Sequence, residues 1–157
     1  MSLALLGVIF FISMFHKNSD KSLIFAALSF FSAVHYLIAG QLPGDDFGWY
    51  YVTSALLLFL LSRVFGYKKD NAVFHLIVCL GIFFNMCGYI MWDIEANTIF
   101  SYLGYLGLYC YTIIVLLSDR AYDQGNRTAL FISRVVCRYI YKSDNRHLAK
   151  AKGENAC

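Results

Sequence analysis

The chain has 157 residues, of which 59% are hydrophobic and only 15% are charged, and its mean hydropathy is +0.57. Soluble domains are about a quarter charged, and their apolar residues recur in short periodic stripes. Here the apolar residues form long blocks, which excludes an ordinary water-soluble domain and indicates a lipid bilayer as the solvent.

Five apolar blocks follow one another along the chain, and each predicts a membrane helix. They cover residues 2–15, 22–40, 49–65, 72–92 and 98–118. The last four meet the length of roughly 17–25 residues that a spanning helix needs, whereas the first is marginal. The expected fold class is therefore an all-α membrane protein, a compact bundle of four to five transmembrane helices followed by a basic amphipathic C-terminal helix.

The connections between the blocks alternate in charge. All 13 Lys and Arg residues lie in or beside the first and third connections and in the region after residue 118, whereas the second and fourth connections are acidic. Because basic connections stay in the cytoplasm, the N-terminus is predicted outside and the C-terminus inside. The aromatic residues Trp49, Tyr50, Tyr51 and Trp92 then lie at the outer interface. A bacterial inner membrane is the expected location.

Several polar side chains lie at a similar depth in the outer half of the predicted bundle. They are His35, Thr53, Ser54, Asn85 and Tyr105. His35 and Asn85, for example, both lie about 20 Å from the inner ends of their helices. We expect an outer polar layer of interhelical hydrogen bonds, with a structural role or with a role as a binding site or pore lining.

A second polar group lies nearer the inner side. His75 and Cys79 share one helix face, and Cys110 reaches a similar depth on the next helix. Imidazole and thiolates suit zinc or copper, but this spacing matches no established metal motif. We therefore predict no metal and no cofactor, and keep the three residues as an alternative metal or cofactor site.

Small residues recur on three of the predicted helices. They are Ser29, Ala33, Gly81, Gly88, Ser101, Gly104 and Gly107. Because small residues let helix backbones approach closely, these helices are expected to pack together or to self-associate.

The region 119–157 is predicted as a basic cytoplasmic tail, with an amphipathic helix over 127–142 and disorder beyond it. Arg127, Arg134, Arg138 and Lys142 lie along one stripe of that helix. Such a stripe fits anionic lipid headgroups at about 1 kcal/mol per side chain, unless the charges only enforce topology. No recognition module accompanies the charge, so no nucleic-acid partner is expected.

The sequence contains no GxSxG, P-loop, HExxH or CxxC motif. We therefore expect a non-enzymatic protein that acts by helix–helix contact with itself or with another membrane protein. Its layout of short loops, few charges and a basic tail is similar to small membrane proteins of phages, plasmids and bacteria. This resemblance implies a role of the exclusion or immunity type, with a holin-like pore or small channel as the alternative.

Overall fold

The computed structural model describes the backbone of most of the chain and the side chains of a slightly smaller part. The backbone ranges are residues 2–16, 19–39, 47–90 and 95–151, and the side-chain ranges are 3–16, 20–39, 49–90 and 102–140. Within them the regular secondary structure is helical throughout, which confirms the all-α class. The helices are α1 (Ser2–Met14), α2 (Ser19–Ala39), α3 (Phe47–Phe65), a 3₁₀ turn (Lys69–Asn71), α4 (Ala72–Ile90), α5 (Glu95–Leu117) and α6 (Asp119–Ala151).

Two helical segments are long and apolar enough to cross a membrane, Asp20–Ala39 and Lys69–Ile90. A third counts if Tyr102–Leu117 and Asp119–Ile140, which meet at a bend of 120°, form one broken span. The described parts of α1 and α3 are apolar but shorter than these segments. The structure is thus consistent with a membrane protein that has two or three such helices among the described residues, and it does not confirm the four to five spans expected from block length.

The start of α2, the end of α3 and the start of α4 meet at an aromatic cluster. Phe25 near the start of α2 packs edge-to-face on Phe74 near the start of α4, with ring centroids 5.9 Å apart. Phe65 at the end of α3 also packs edge-to-face on Phe74, with centroids 5.8 Å apart. Edge-to-face pairs are a favourable aromatic geometry, and Phe25 and Phe74 are fully buried. The cluster fixes the end of the bundle that the charge pattern predicts to be cytoplasmic.

Ser118 joins α5 to α6 without an intervening loop. Its N–H donates to the Ile114 carbonyl at 3.1 Å, and its own carbonyl accepts from the Tyr122 N–H at 2.9 Å. Its hydroxyl accepts from the Ala121 N–H at 3.3 Å, which is an N-cap bond. One residue therefore ends α5 and starts α6.

The last helix differs in its bounds from the predicted helix over 127–142. It begins at Asp119 because Ser118 caps it, and it continues to Ala151. No Gly or Pro occurs from residue 126 to 152 to end it. Residues 152–157, like Trp92, lie outside the described residues.

Candidate functional site

The bundle contains a cavity of about 60 Å³ that is bounded by α1 to α5. Four of the five residues of the predicted polar layer line it, namely His35, Ser54, Asn85 and Tyr105. The structure thus brings these four residues to the wall of one cavity. The remainder of the wall is mainly aliphatic and aromatic, and includes Leu28, Leu58, Ile77, Leu108 and Tyr109.

The fifth residue of the layer, Thr53, bonds to His35 across the interface between α2 and α3. The Thr53 hydroxyl donates to the Trp49 carbonyl at 2.7 Å. Its oxygen therefore accepts from the His35 Nε2–H, at 2.8 Å. The His35 ring also packs beside Tyr50, with centroids 5.1 Å apart. This is the interhelical hydrogen bond that the polar layer was expected to supply.

Asn85 and Tyr105 present two unusual atoms to the same region. Asn85 is 1% exposed, and its Nδ2–H donates to the Gly81 carbonyl one turn earlier at 2.8 Å. Within the described side chains, the Asn85 Oδ1 and the Tyr105 hydroxyl oxygen are the buried polar atoms that have no hydrogen-bond partner. Each such buried atom costs about 1–3 kcal/mol, and native structures contain few of them.

Two residues of the polar layer, Asn85 and Tyr105, face the interior of a single bundle. Asn85 is buried and Tyr105 is mostly buried, and both contribute to the cavity wall. An oligomeric pore lined by these residues would need their polar atoms on the outer surface of each chain. The orientation of these two side chains therefore favours an internal site over a pore lining.

The inner polar group is arranged differently from a metal site. The His75 Nε2–H donates to the Gly66 carbonyl at 2.8 Å, and its Nδ1 accepts from the Ser62 hydroxyl at 2.9 Å. Both ring nitrogens are therefore engaged. Cys79 and Cys110 are exposed on their helices, and no three metal-ligating side chains gather within the described ranges. His75 closes the turn after α3, where Gly66 adopts a left-handed φ of 56°.

Three of the predicted packing glycines are used inside the bundle. A Cβ on Gly81 would lie 2.8 Å from Leu58 Cδ1, and one on Gly88 would lie 2.5 Å from Tyr51 Cε1. These two glycines let α3 approach α4. A Cβ on Gly104 would lie 2.5 Å from a ring carbon of Phe84, so Gly104 lets α5 approach α4.

Gly107 is different, because a Cβ there would meet nothing within 4 Å. It lies on an exposed stripe of α5 with Leu103, Cys110 and Ile114, spaced so that all four share one helix face. We call these four residues the α5 stripe. The sequence indicated that the glycines were packing residues, but it did not distinguish the inward ones from the outward one.

The remaining small residues have separate environments. Ser29 is buried beside the cavity, and its hydroxyl donates to the Phe25 carbonyl at 2.8 Å. Ala33 is half-buried, and the side chain of Ser101 lies outside the described residues.

Residues 131–140 of α6, which we call the exposed half of α6, are not covered by the bundle. Every residue from Phe131 to Ile140 is exposed, including Arg134 and Arg138 and the apolar Val136 and Tyr139. Arg127 is exposed as well, whereas the side chain of Lys142 lies outside the described residues. Both the basic stripe and the apolar side of this helix are therefore available to a partner or to lipid.

The first turns of α6 dock on the bundle through residues that are not among the predicted site residues. The Asn126 Oδ1 accepts from the Val73 N–H at 2.8 Å, and its Nδ2–H donates to the Asp70 carbonyl at 3.0 Å. The Lys21 ammonium contacts Asp119 at 3.1 Å and lies 3.8 Å above the centre of the Tyr122 ring. These contacts join residues about 50 to 100 positions apart, so no local sequence pattern predicts them.

Burial is the main cause that raises the pKa of Tyr122 to about 12. The hydrogen bond with Asn126 lowers the pKa, and the negative charges of Asp70, Asp123 and Asp20 raise it further. The phenol is therefore neutral at physiological pH and available as a donor.

Comparisons of the chain with family models, with curated proteins and with solved structures find no match in any of the three.

Proposed function

We propose that this chain is a small polytopic protein of the bacterial inner membrane, with α1 to α5 crossing the bilayer. The N-terminus is outside and the C-terminus is cytoplasmic. Large apolar side chains exposed on all five helices support this, for example Phe11, Ile38, Leu60, Ile90 and Ile114. Exposure of so much apolar surface is unfavourable in water but ordinary in lipid.

We propose that the protein is non-enzymatic and acts by helix–helix contact, with a second copy of itself as the first partner to test. The observation that carries this proposal is the open position of Gly107 on the α5 stripe. In lipid, helices associate where small residues permit close approach, and Cys110 extends the small surface by one turn. A different membrane protein as the partner would suit a role of the exclusion or immunity type.

The exposed half of α6 supports a second contact, with the cytoplasmic leaflet. Arg134 and Arg138 lie opposite Val136, so one side of the helix meets headgroups while the other enters the acyl boundary. The 120° bend after α5 turns α6 past a right angle, which supports a course along the membrane rather than away from it.

Cysteine crosslinking in native membranes tests the helix contact. Single-cysteine variants keep either Cys110 or Cys79, both of which are exposed. A short bismaleimide is expected to join two copies through Cys110 and not through Cys79, since only Cys110 belongs to the α5 stripe. Gly107→Leu should abolish the crosslink because the added side chain separates the helices.

Gly7→Leu is the matched control, because Gly7 on α1 also has open space around its Cβ position. Equal crosslinking through both cysteines, or loss of the crosslink with Gly7→Leu but not with Gly107→Leu, would contradict self-association through α5. If a photo-crosslinker at position 107 captures only lipid, the result would also contradict contact of α5 with a different membrane protein.

A further inference from the structure

We propose that the cavity of about 60 Å³ binds one hydroxyl group of a small uncharged molecule, which donates to the Asn85 Oδ1 and accepts from the Tyr105 O–H. The molecule is either water or a short-chain alcohol. This site is independent of the α5 stripe, so the two proposals fail separately.

The two unpartnered atoms determine the chemistry of the bound group. The Asn85 Oδ1 can only accept a hydrogen bond, whereas the Tyr105 hydroxyl can donate one. A single hydroxyl group both donates and accepts, so one O–H satisfies both atoms. The Asn85 side chain acts on the Tyr105 hydroxyl at short range, yet the Asn85 Oδ1 and the Tyr105 hydroxyl oxygen each lack a partner at hydrogen-bond distance and angle. A hydroxyl group bound beside both atoms would supply the two missing hydrogen bonds.

The cavity wall determines the charge of the ligand. Among the described residues that line it, none is Asp, Glu, Lys or Arg. A charged ligand there would lose its hydration without gaining a counter-charge, which is prohibitive in a membrane interior. His35 already donates its Nε2–H to Thr53. The site therefore selects a neutral molecule.

The size and polarity of the wall limit the rest of the molecule. One water needs roughly 10–15 Å³ of cavity space, so the cavity has room for several heavy atoms, as many as a short-chain alcohol contains. Beyond Asn85 and Tyr105 the wall is made largely of aliphatic side chains such as Leu58, Ile77 and Leu108. A short alkyl group would pack there, which is why a small alcohol fits as well as water does.

Nuclear magnetic resonance of the full-length protein in lipid nanodiscs tests the proposal. Asparagine is labelled with ¹⁵N, and the Asn85 side-chain signal is assigned by its loss in Asn85→Leu. Magnetisation transfer from water to this amide is measured first. The sample is then titrated with 1-propanol and, separately, with 1-chloropropane, which has a similar size and no hydroxyl.

Asn71 is the internal reference, because both ends of its amide are already hydrogen-bonded, to the Lys68 N–H and the Gly66 carbonyl. A saturable shift at Asn85 with 1-propanol, absent with 1-chloropropane and absent at Asn71, supports the site with an alcohol as its ligand. Transfer from water at Asn85 without a saturable propanol shift supports it with water as the ligand. If neither is observed, the two atoms pair directly and the proposal is wrong.

Two variants connect the signal to the named atoms. Tyr105→Phe removes the donor, and it should weaken the saturable response or the water transfer by roughly three- to tenfold. Thr112→Val changes the same wall, but the Thr112 hydroxyl already donates to the Leu108 carbonyl at 2.8 Å. This control should therefore leave the Asn85 signal unchanged. Equal effects of the two variants would contradict a bridging hydroxyl.

Discussion

Tyr122 donates its phenolic O–H to the backbone carbonyl of Asp70 at 2.8 Å, which ties the first turns of α6 to the connection between α3 and α4. Asn126, one turn later, donates to the same carbonyl and also accepts from the Val73 N–H. The Val73 N–H belongs to the first turn of α4, where backbone donors have no partner within the helix. Asn126 thus acts as a cap for α4 supplied by another helix.

The first prediction concerns this cap. Asn126→Ala should lower the free energy of unfolding by about 1–2 kcal/mol, because it leaves a helix N-terminal donor and a carbonyl with one bond fewer. Thr128→Ala on the same helix is the control, since the exposed Thr128 hydroxyl only bonds back to the Gln124 carbonyl. Denaturant titration in detergent micelles measures both. Equal losses in the two variants would show that Asn126 does not cap α4.

The second prediction concerns alkaline pH. The pKa of Tyr122 is raised from about 10 to about 12, so the folded protein keeps the phenolic proton that the unfolded chain releases. Its contribution to stability is fully present below pH 10 and is lost as the pH rises through 12. Wild-type protein should therefore lose stability more steeply over this interval than Tyr122→Phe does.

The Lys21 ammonium lies 3.8 Å from the centre of the Tyr122 ring, and Tyr122→Phe keeps that ring, so this contact is common to both proteins. The absorbance difference at 295 nm between the two proteins reports the ionisation of Tyr122 directly. A midpoint near 10 in that difference would contradict the raised pKa.

The fold was predictable from the sequence to the extent that it depends on block length and composition. The blocks at 22–40 and 72–92 correspond to α2 and α4, because long apolar runs determine helices regardless of their neighbours. The start of α6 was not predictable from amphipathic periodicity. Ser118 both ends the hydrogen bonding of α5 and caps α6, so no loop separates the two helices in the sequence.

The sequence predicts how far along its helix each residue of the candidate site lies, but not whether its side chain faces the interior of the bundle. Counting residues placed His35, Asn85 and Tyr105 at one level, because every residue of a helix advances by the same rise. Whether a side chain then faces the interior depends on how the helices rotate against each other. That rotation depends on close contacts such as Gly104 with Phe84, which no single helix sequence specifies.

The third prediction separates inward from outward glycines. Gly104→Ala should destabilise the protein by about 1–3 kcal/mol, because the added Cβ overlaps the Phe84 ring. Gly107→Ala should leave stability unchanged or slightly raised, since the added methyl meets nothing and alanine favours helix. Thermal unfolding of the two variants under identical detergent conditions gives the comparison. A larger loss for Gly107→Ala would invert the assignment of the two faces.

The fourth prediction concerns metal. The ring nitrogens of His75 are occupied by Ser62 and Gly66, so a chelator should leave the thermal midpoint of the purified protein unchanged. The double variant Cys79→Ser/Cys110→Ser should behave in the same way. Ser62→Ala, in contrast, should cost about 1 kcal/mol by leaving the His75 Nδ1 without its donor. A chelator-dependent midpoint that the double variant abolishes would restore a metal site.

The fifth prediction concerns the lipid contact of α6. Spin labels are attached at Val136→Cys and at Arg138→Cys, on opposite sides of the exposed half of the helix. In bilayers that contain phosphatidylglycerol, the label at 136 should collide mainly with oxygen and the label at 138 mainly with a water-soluble nickel chelate. The reason is that the apolar side enters the acyl boundary while the arginines remain at the headgroups.

Charge removal tests the electrostatic part of the same contact. Arg134→Gln with Arg127→Gln should weaken the lipid contact by about 1 kcal/mol per side chain, and bilayers of phosphatidylcholine alone should have a similar effect. Label accessibility at 136 reports both changes, and Thr128→Ala, which alters no charge, is the control. If 136 and 138 are equally accessible to the nickel chelate in anionic bilayers, α6 does not lie on the membrane, and its apolar side must be covered by a protein partner instead.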